Sequence, residues 1–140
     1  MKIPCETLEK FIDRQSVAFI SSIDADGFPN ARAMLAPVWR EGLKTFYWHT
    51  NTSSQKVTQF LKNPKCCVYF CDEQHFRGLM LRGTMEIITD EALRRRFWKD
   101  DYTLYYQGGL DGGDYTLMRF TARCARYYCD FLTQKVEIGD

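Results

Sequence analysis

The chain has 140 residues, 45% of them apolar, which suits one globular domain with its own core and excludes a disordered chain. Nineteen basic against 18 acidic residues leave a formal net charge of +1, so bulk charge favours neither nucleic acid nor membranes as partners. No apolar run approaches the roughly 20 residues that cross a bilayer, and no signal-peptide pattern opens the chain, so we expect one cytoplasmic domain over residues 1–140.

The first half of the chain is predicted to hold two helices and three strands. Pro4 suits the first turn of a helix that places Leu8, Phe11 and Ile12 on one face. After Thr50 the apolar period changes to that of a second amphipathic helix, which Asn63-Pro64 ends. The predicted strands cover residues 16–23, about 31–38 and 43–50, with turns at 24–27 and 40–42, and the second helix covers 53–62.

The second half is richer in strand. Strands are predicted at 66–71, 79–89 and 115–128, a short helix capped by Asp90 at 91–98, and a glycine-rich loop with one helical turn at 99–114. Strict alternation of strand and helix is absent, so a doubly wound parallel sheet is not expected. We predict a mainly β (α+β) fold whose six antiparallel strands close into a barrel, which removes exposed edges.

Six cysteines do not indicate a metal centre. Cys66, Cys67 and Cys71 lie in one apolar run without the pair spacing of a zinc site. In a strand, Cys67 and Cys71 share a face with Tyr69, while Cys66 points the other way. In a reducing compartment most of these cysteines are expected to act as small buried hydrophobes, and we predict no metal.

The sequence suggests an anion site at the junction where the third predicted strand ends and the second predicted helix begins. Thr50, Ser53 and Ser54 supply hydroxyls, and Lys56 adds a charge to the unpaired amides of a helix N-terminus. Such a site suits a terminal phosphate. In such a site Ser53 or Thr52 is expected to cap the helix, with Ser54 and Lys56 directed at the ligand. The alternative is an ordinary Ser or Thr helix cap with a solvated lysine.

Arg32 offers a second positive charge on a predicted strand, between Ala31 and Ala33. An unpaired charge on a core strand is costly. A phosphate partner would explain this arginine, as would a salt bridge or an outward-facing position.

Five segments follow one another at a characteristic spacing: Arg32-Ala33-Met34-Leu35, Phe46 to Lys56, Phe60 to Pro64, Leu81 to Ile87, and Tyr115 to Asp130. In this order they resemble the pyridoxamine 5′-phosphate oxidase-like split-barrel family, in the branch that includes bacterial general stress proteins. The resemblance covers nearly the whole chain, and its strength lies in the order and spacing of the motifs.

The resemblance implies a split β-barrel that forms a homodimer and holds flavin mononucleotide (FMN) at the interface. By position, Arg32 and Lys56 would neutralise the phosphate, and Ser54 would hydrogen-bond it. Gln55 stands where relatives often carry a second basic residue, which implies weaker phosphate binding. The other implied cofactor contacts are Ser53 at the phosphate end, Thr50, Trp48, His49, Met34 and Leu35 along the ring, and Trp98 with the Tyr127-Tyr128 pair from the partner subunit.

FMN would supply the redox chemistry, so the resemblance implies a flavin-dependent oxidoreductase that uses a small-molecule electron donor and acceptor. No catalytic side chain is identified, since His49 and His75 lack the partners of a triad. The chain ends without the Arg- and His-bearing substrate segment of the vitamin B6 oxidases, so that activity is not expected. The alternatives are a non-catalytic flavin or stress-response protein, or a split barrel that binds haem or a deazaflavin.

Overall fold

The computed structural model describes residues 3–138, which form eight strands and three α-helices with one short 3-10 helix. The helices are α1 (Cys5–Asp13), α2 (Gln55–Lys62) and α3 (Glu91–Phe97), followed by the 3-10 helix Asp100–Leu104. The strands are β1 (Val17–Ile23), β2 (Pro29–Leu35), β3 (Trp39–Glu41), β4 (Thr45–Asn51), β5 (Lys65–Asp72), β6 (Arg77–Ile88), β7 (Tyr115–Cys129) and β8 (Leu132–Glu137).

The strands form one antiparallel sheet in the order β2-β1-β5-β6-β7-β4-β3, with β8 paired to β7. The sheet curls until β2 and β4, near the two ends of this order, approach each other. Trp48 on β4 closes the gap, because its indole N–H donates a 2.9 Å hydrogen bond to the carbonyl of Leu35 on β2. The result is a split barrel in which this hydrogen bond joins β4 to β2.

Two apolar clusters stabilise the molecule. The larger fills the barrel, because alternate residues of each strand point inward. It contains Leu8, Phe11 and Ile12 of α1 as predicted, together with Phe46, Trp48, Phe70, Leu79, Leu81, Met118 and Phe120 among others. The smaller cluster lies on the other face of β4, where the loop after α3 packs against the sheet. Its buried members are Tyr47, Ile88, Tyr106, Tyr115 and Leu117.

A β-bulge interrupts the pairing of β6 with β7. Arg82 faces Cys124, but the next residue, Gly83, faces Ala122, so Arg123 has no partner across the ladder. A bulge of this kind turns side chains in a new direction. The strands approach closely here, since a Cβ on Gly83 would lie 2.0 Å from the carbonyl oxygen of Thr121.

The predicted fold class is confirmed, and the predicted strand number is wrong. The structure has eight strands rather than six, because Trp39–Glu41 and Leu132–Glu137 also pair within the sheet. The second helix begins at Gln55 rather than at residue 53, and Ser54 occupies its N-cap position. The predicted cap of the third helix is confirmed, as the Asp90 carboxylate accepts a 3.0 Å hydrogen bond from the Leu93 amide.

Within residues 3–138, none of the helices has the length and apolar character that a membrane crossing requires.

Candidate functional site

Arg32 lies on the inner face of β2, on which the alternate residues are partly buried. Its guanidinium donates to the carbonyl of Ile20 at 3.3 Å, to the hydroxyl of Ser22 at 2.7 Å and to Oε1 of Gln59 at 3.4 Å. All three partners are uncharged, and no ion pair found within residues 3–138 includes Arg32. Burial lowers the pKa of this arginine below its usual value. The salt-bridge and outward-facing explanations of Arg32 therefore do not apply.

Lys56 lies in the first turn of α2, close enough to Arg32 for the two charges to interact. Its ammonium group donates a 2.9 Å hydrogen bond to the hydroxyl of Thr50, the buried residue near the end of β4. Burial, and secondarily the positive charge of Arg32, lower the pKa of Lys56. No carboxylate among the described residues forms an ion pair with this lysine. Two half-buried cations thus lie near one another, and neither forms an ion pair within residues 3–138.

Ser54 completes this arrangement. It holds the N-cap position of α2, yet its side chain makes no capping hydrogen bond. Its hydroxyl oxygen is buried and has no partner within the described chain. A buried polar atom is normally satisfied, so an external acceptor or donor is the natural complement. We call Arg32, Thr50, Ser54 and Lys56 the basic corner.

Asp114 anchors the turn that leads into α2, a role that the sequence analysis missed. Its carboxylate accepts from the amide group of Asn51 at 2.7 Å and from the hydroxyl of Ser53 at 3.3 Å. Its backbone carbonyl also accepts from the amide of Thr52 at 2.7 Å. The hydrogen bond from Asn51, foremost, holds the pKa of Asp114 below its usual value. Ser53 is therefore committed to this turn, and its hydroxyl is directed to Asp114 rather than to the basic corner.

The predicted ring contacts divide between several environments. Met34 lies two residues from Arg32 on the same face of β2 and packs against the core. Leu35 points outward and is 79% exposed, although its carbonyl holds Trp48. The Trp48 side chain is only 1% exposed and belongs to the core, so it offers no surface to a ligand. Gln55 is exposed and lines a separate cavity of about 460 Å³ between α2 and the β1–β2 turn.

His49 and Trp98 belong to the second apolar cluster and not to the basic corner. The period of β4 turns His49 away from Thr50, and its ring packs edge-on against Tyr102 and Tyr115, at centroid distances of 4.9 and 5.0 Å. Trp98 packs on the same two tyrosines. The buried Nε2 of His49 has no hydrogen-bond partner in the described chain. Tyr127, proposed with Trp98, is buried in the barrel core against Phe11.

The environment of His49 makes stability depend on pH. Burial, and secondarily the charge of Lys99, lower the pKa of His49 from 6.5 to about 4. Between these values the unfolded chain binds a proton that the native state does not, so the free energy of unfolding falls as the pH falls. We expect a loss of about 2 kcal/mol, after a discount for partial solvent access to the ring.

Chemical denaturation at pH 7 and pH 4.5 measures this loss. In His49→Phe, which keeps an aromatic ring without a titrating nitrogen, the pH dependence should be smaller by about the same 2 kcal/mol. Carboxylates of low pKa, such as Asp114, are common to both proteins and cancel in the difference. Identical pH profiles would show that the His49 ring is hydrated.

Chemically, the basic corner is a site for an anion. It presents two cations, two hydroxyls and the first amides of a helix, which together match a phosphate monoester. It carries no nucleophile paired with a general base. Nor do His, Cys, Asp and Glu side chains of residues 3–138 cluster in a way that would hold a metal ion.

Sequence comparison finds relatives named as pyridoxine/pyridoxamine 5′-phosphate oxidases. A family profile described as pyridoxamine 5′-phosphate oxidase matches residues 5–129. The chain is 35% identical over 85 residues to the pyridoxine/pyridoxamine 5′-phosphate oxidase of Rhizobium meliloti, an alignment covering 61% of this chain and 40% of that protein. The chain thus spans well under two thirds of the length of the curated relatives it matches.

Solved structures share the whole fold. A Clostridium acetobutylicum protein related to general stress protein 26 of Bacillus subtilis, of the pyridoxinephosphate oxidase family, superimposes with a TM-score of 0.85 and 35% identity, covering 96% of this chain and 94% of that one. A haem-binding protein of Mycobacterium smegmatis superimposes with a TM-score of 0.77 at 13% identity, covering 98% of this chain and 60% of that one. The second likeness concerns the fold alone.

Proposed function

Since the chain belongs to the pyridoxamine 5′-phosphate oxidase family, we propose that it binds FMN at the basic corner and is an FMN-dependent oxidoreductase. One observation carries this proposal: the half-buried charges of Arg32 and Lys56 lie close enough to interact, and neither forms an ion pair within residues 3–138. Ser54, two residues before Lys56, adds a buried hydroxyl without a partner in the described chain. An apo site with these properties is unfavourable unless a ligand neutralises it.

In this proposal the FMN phosphate lies between Arg32 and Lys56 and accepts from the Ser54 hydroxyl. The bonds that Arg32 makes with Ile20, Ser22 and Gln59 fix its guanidinium before the ligand arrives, which reduces the entropic cost of binding. Gln55 is exposed and uncharged, so only two cations hold the phosphate. In this proposal Met34 provides an apolar wall next to Arg32, and backbone groups of β4 near Thr50 reach the polar edge of the flavin ring.

When bound, FMN supplies hydride or electron transfer, and the protein supplies binding, orientation and exclusion of water. The chain's own residues support this division of roles, because neither histidine offers an acid–base group at the basic corner. His49 is enclosed by tyrosines, and His75 is an exposed loop residue whose Nδ1 lies 2.9 Å from Asp72. We assign no catalytic side chain.

A homodimer is part of the proposal. The outer face of β1, β2 and β5 carries a row of apolar side chains that water contacts in the single chain. Phe19 is 43% exposed, Leu35 79% and Tyr69 40%, and Val17 lies beside Leu35 in register. A patch of this kind normally marks a protein contact, and we propose that a second copy of the chain covers it.

Binding of FMN and riboflavin to the purified protein tests the proposal. The two flavins differ only in the phosphate, so flavin fluorescence quenching should give FMN an affinity at least about tenfold higher, the value of one charge-assisted contact. Bleaching of the bound flavin by a nicotinamide donor, and reoxidation by an acceptor, then tests the oxidoreductase part. Equal affinities for both flavins, or preferential loading with haem or a deazaflavin, would contradict the proposal.

Pyridoxamine and pyridoxine 5′-phosphate belong among the substrates to be tried, because the curated relatives carry those names. Turnover of either compound by the FMN-loaded protein would identify it as a substrate, and the absence of turnover would leave FMN binding intact.

A further inference from the structure

Gln59 lies on α2, in the same helix as Lys56, and its side chain reaches strands β1 and β2. Its Oε1 accepts one hydrogen bond from the hydroxyl of Ser22 on β1 and another, at 3.4 Å, from Nη2 of Arg32 on β2. Ser22 is fully buried, and its hydroxyl oxygen accepts from Nη1 of Arg32 at 2.7 Å. One glutamine oxygen therefore joins the helix that carries Lys56 to the strand that carries Arg32.

The groups that hold Arg32 orient its guanidinium without neutralising it. The third acceptor is the backbone carbonyl of Ile20, so all three are uncharged. A guanidinium has five N–H donors, and Nε of Arg32 takes part in no hydrogen bond within residues 3–138. The arginine thus keeps both its charge and a free donor for a ligand. A carboxylate in place of the Gln59 amide would cancel that charge.

The hydrogen bonds of this network run in one direction. Arg32 donates to the Ser22 hydroxyl, which donates its only proton to Gln59. Bonds linked in this way strengthen one another. Without the Gln59 oxygen, Arg32 would lose one acceptor, and the buried hydroxyl of Ser22, which is another of its acceptors, would lose its fixed orientation.

Attachment of α2 to the rest of the fold does not by itself explain these contacts. Val57 and Phe60, which are 4% and 3% exposed, already anchor the helix through apolar burial. Polar groups brought into a partly buried site cost desolvation energy unless their hydrogen bonds are made. Gln59 makes them with an arginine that forms no ion pair within residues 3–138, which points to a role in holding that charge.

We propose that Gln59 is a positioning residue that determines the phosphate specificity of the basic corner: its neutral oxygen fixes Arg32 and leaves the arginine's charge available to a phosphate monoester. This inference rests on the proposed binding of FMN at the basic corner. A phosphate monoester carries nearly two negative charges at neutral pH, so it gains from both Arg32 and Lys56. Riboflavin lacks that group, so a change at Gln59 should affect FMN and spare riboflavin.

Gln59→Glu tests the proposal, because it exchanges an amide for a carboxylate of nearly the same shape. At neutral pH the carboxylate gives Arg32 a counter-charge, and we expect the affinity for FMN to fall at least about tenfold, while that for riboflavin changes by less than about twofold. The flavin-free variant should melt at or above the parent's temperature, because its half-buried guanidinium is then paired. Fluorescence titration of both flavins and thermal melting of the full chain measure these effects.

Gln59→Met removes the oxygen without adding a charge. Arg32 is then held less firmly, so FMN should bind about threefold more weakly. The flavin-free protein should melt below the parent, since the buried hydroxyl of Ser22 loses its acceptor. A glutamine with a purely structural role would lower the melting temperature in both variants and would not distinguish FMN from riboflavin in either.

Thr58→Glu is the control for added negative charge. Thr58 precedes Gln59 on α2, is exposed and forms no hydrogen bond with Arg32 in the described chain. Solvent and salt screen a charge at such a position, so the affinity for FMN should change by less than about twofold.

A Gln59→Glu protein that keeps the parent's preference for FMN, or loses affinity for both flavins equally, would overturn the inference. So would one that melts well below the parent, because its carboxylate would then not pair with Arg32, or a Thr58→Glu protein that weakens FMN binding as much. These results leave the parent's own preference for FMN unaffected. A parent protein that binds both flavins equally would instead contradict the proposed function, and this inference with it.

Discussion

Replacing Lys56 by methionine is expected to weaken FMN binding roughly ten- to a hundredfold, corresponding to the loss of a charged hydrogen bond worth about 1.5–3 kcal/mol. Methionine keeps the length and apolar stem of the lysine and removes only the charge. Riboflavin, which has no phosphate, should lose far less affinity. Fluorescence titration of both flavins with the parent and variant measures the difference.

The same substitution should not destabilise the ligand-free protein. The ammonium group of Lys56 is half-buried beside Arg32, and its lowered pKa reports that the charge is unfavourable there. Its removal relieves repulsion and desolvation, which offsets the lost hydrogen bond to Thr50. Thermal melting without flavin should give a midpoint at or above that of the parent.

Lys62→Met is the matched control. Lys62 ends the same helix, is exposed and lies outside the basic corner, so its loss should change neither flavin affinity nor melting temperature. A Lys56→Met protein that melts well below the parent, yet binds FMN with parental affinity, would identify Lys56 as a structural residue.

Local patterns in the sequence predict most of the fold. The apolar period of α1, the change of period before α2 and the Asp90 cap all act within a few residues, and each is confirmed. The two missed strands lack such signals. Trp39–Glu41 is only three residues long, and Leu132–Glu137 is largely exposed at the edge of the sheet, so pairing rather than an apolar pattern defines it.

The candidate site shows the same division. Arg32 and Lys56 were predictable because a charge on an inward-facing strand and a lysine in a first helical turn are local features. Asp114 was not, since it anchors a turn some 60 residues earlier through side-chain hydrogen bonds. The position of the His49 side chain away from the basic corner was predictable in principle, because strict alternation along β4 assigns it to the face opposite Thr50.

The packing of Trp98 within its own chain has a non-local cause. Its partners Tyr102, Tyr106 and Tyr115 come from the loop after α3 and the start of β7, and their packing forms the second apolar cluster. No periodic pattern in the sequence brings these rings together, so the cluster could not be predicted from the sequence. The contact of Trp98 with a flavin of the partner subunit stays a prediction.

Gly83→Ala is expected to produce a large loss of stability, about 3 kcal/mol, because the added Cβ overlaps backbone rather than a movable side chain. It would lie 2.0 Å from the carbonyl oxygen of Thr121 and 2.9 Å from the Cα of Ala122. Both atoms belong to β7, which the pairing with β6 and β4 holds in place on both sides. The melting temperature should fall by about 10 °C.

Gly78→Ala on the same strand is the control that separates a backbone clash from the general cost of filling a glycine. There the added Cβ would meet the hydroxyl end of the Tyr69 side chain, at 1.8 Å. Tyr69 is 40% exposed and can rotate away, so the loss should stay below about 1 kcal/mol. Equal losses of free energy of unfolding in the two variants would mean that the backbone of β7 moves as readily as a surface tyrosine. A backbone that moves in this way would not fix the directions of Arg123 and Cys124 at the bulge.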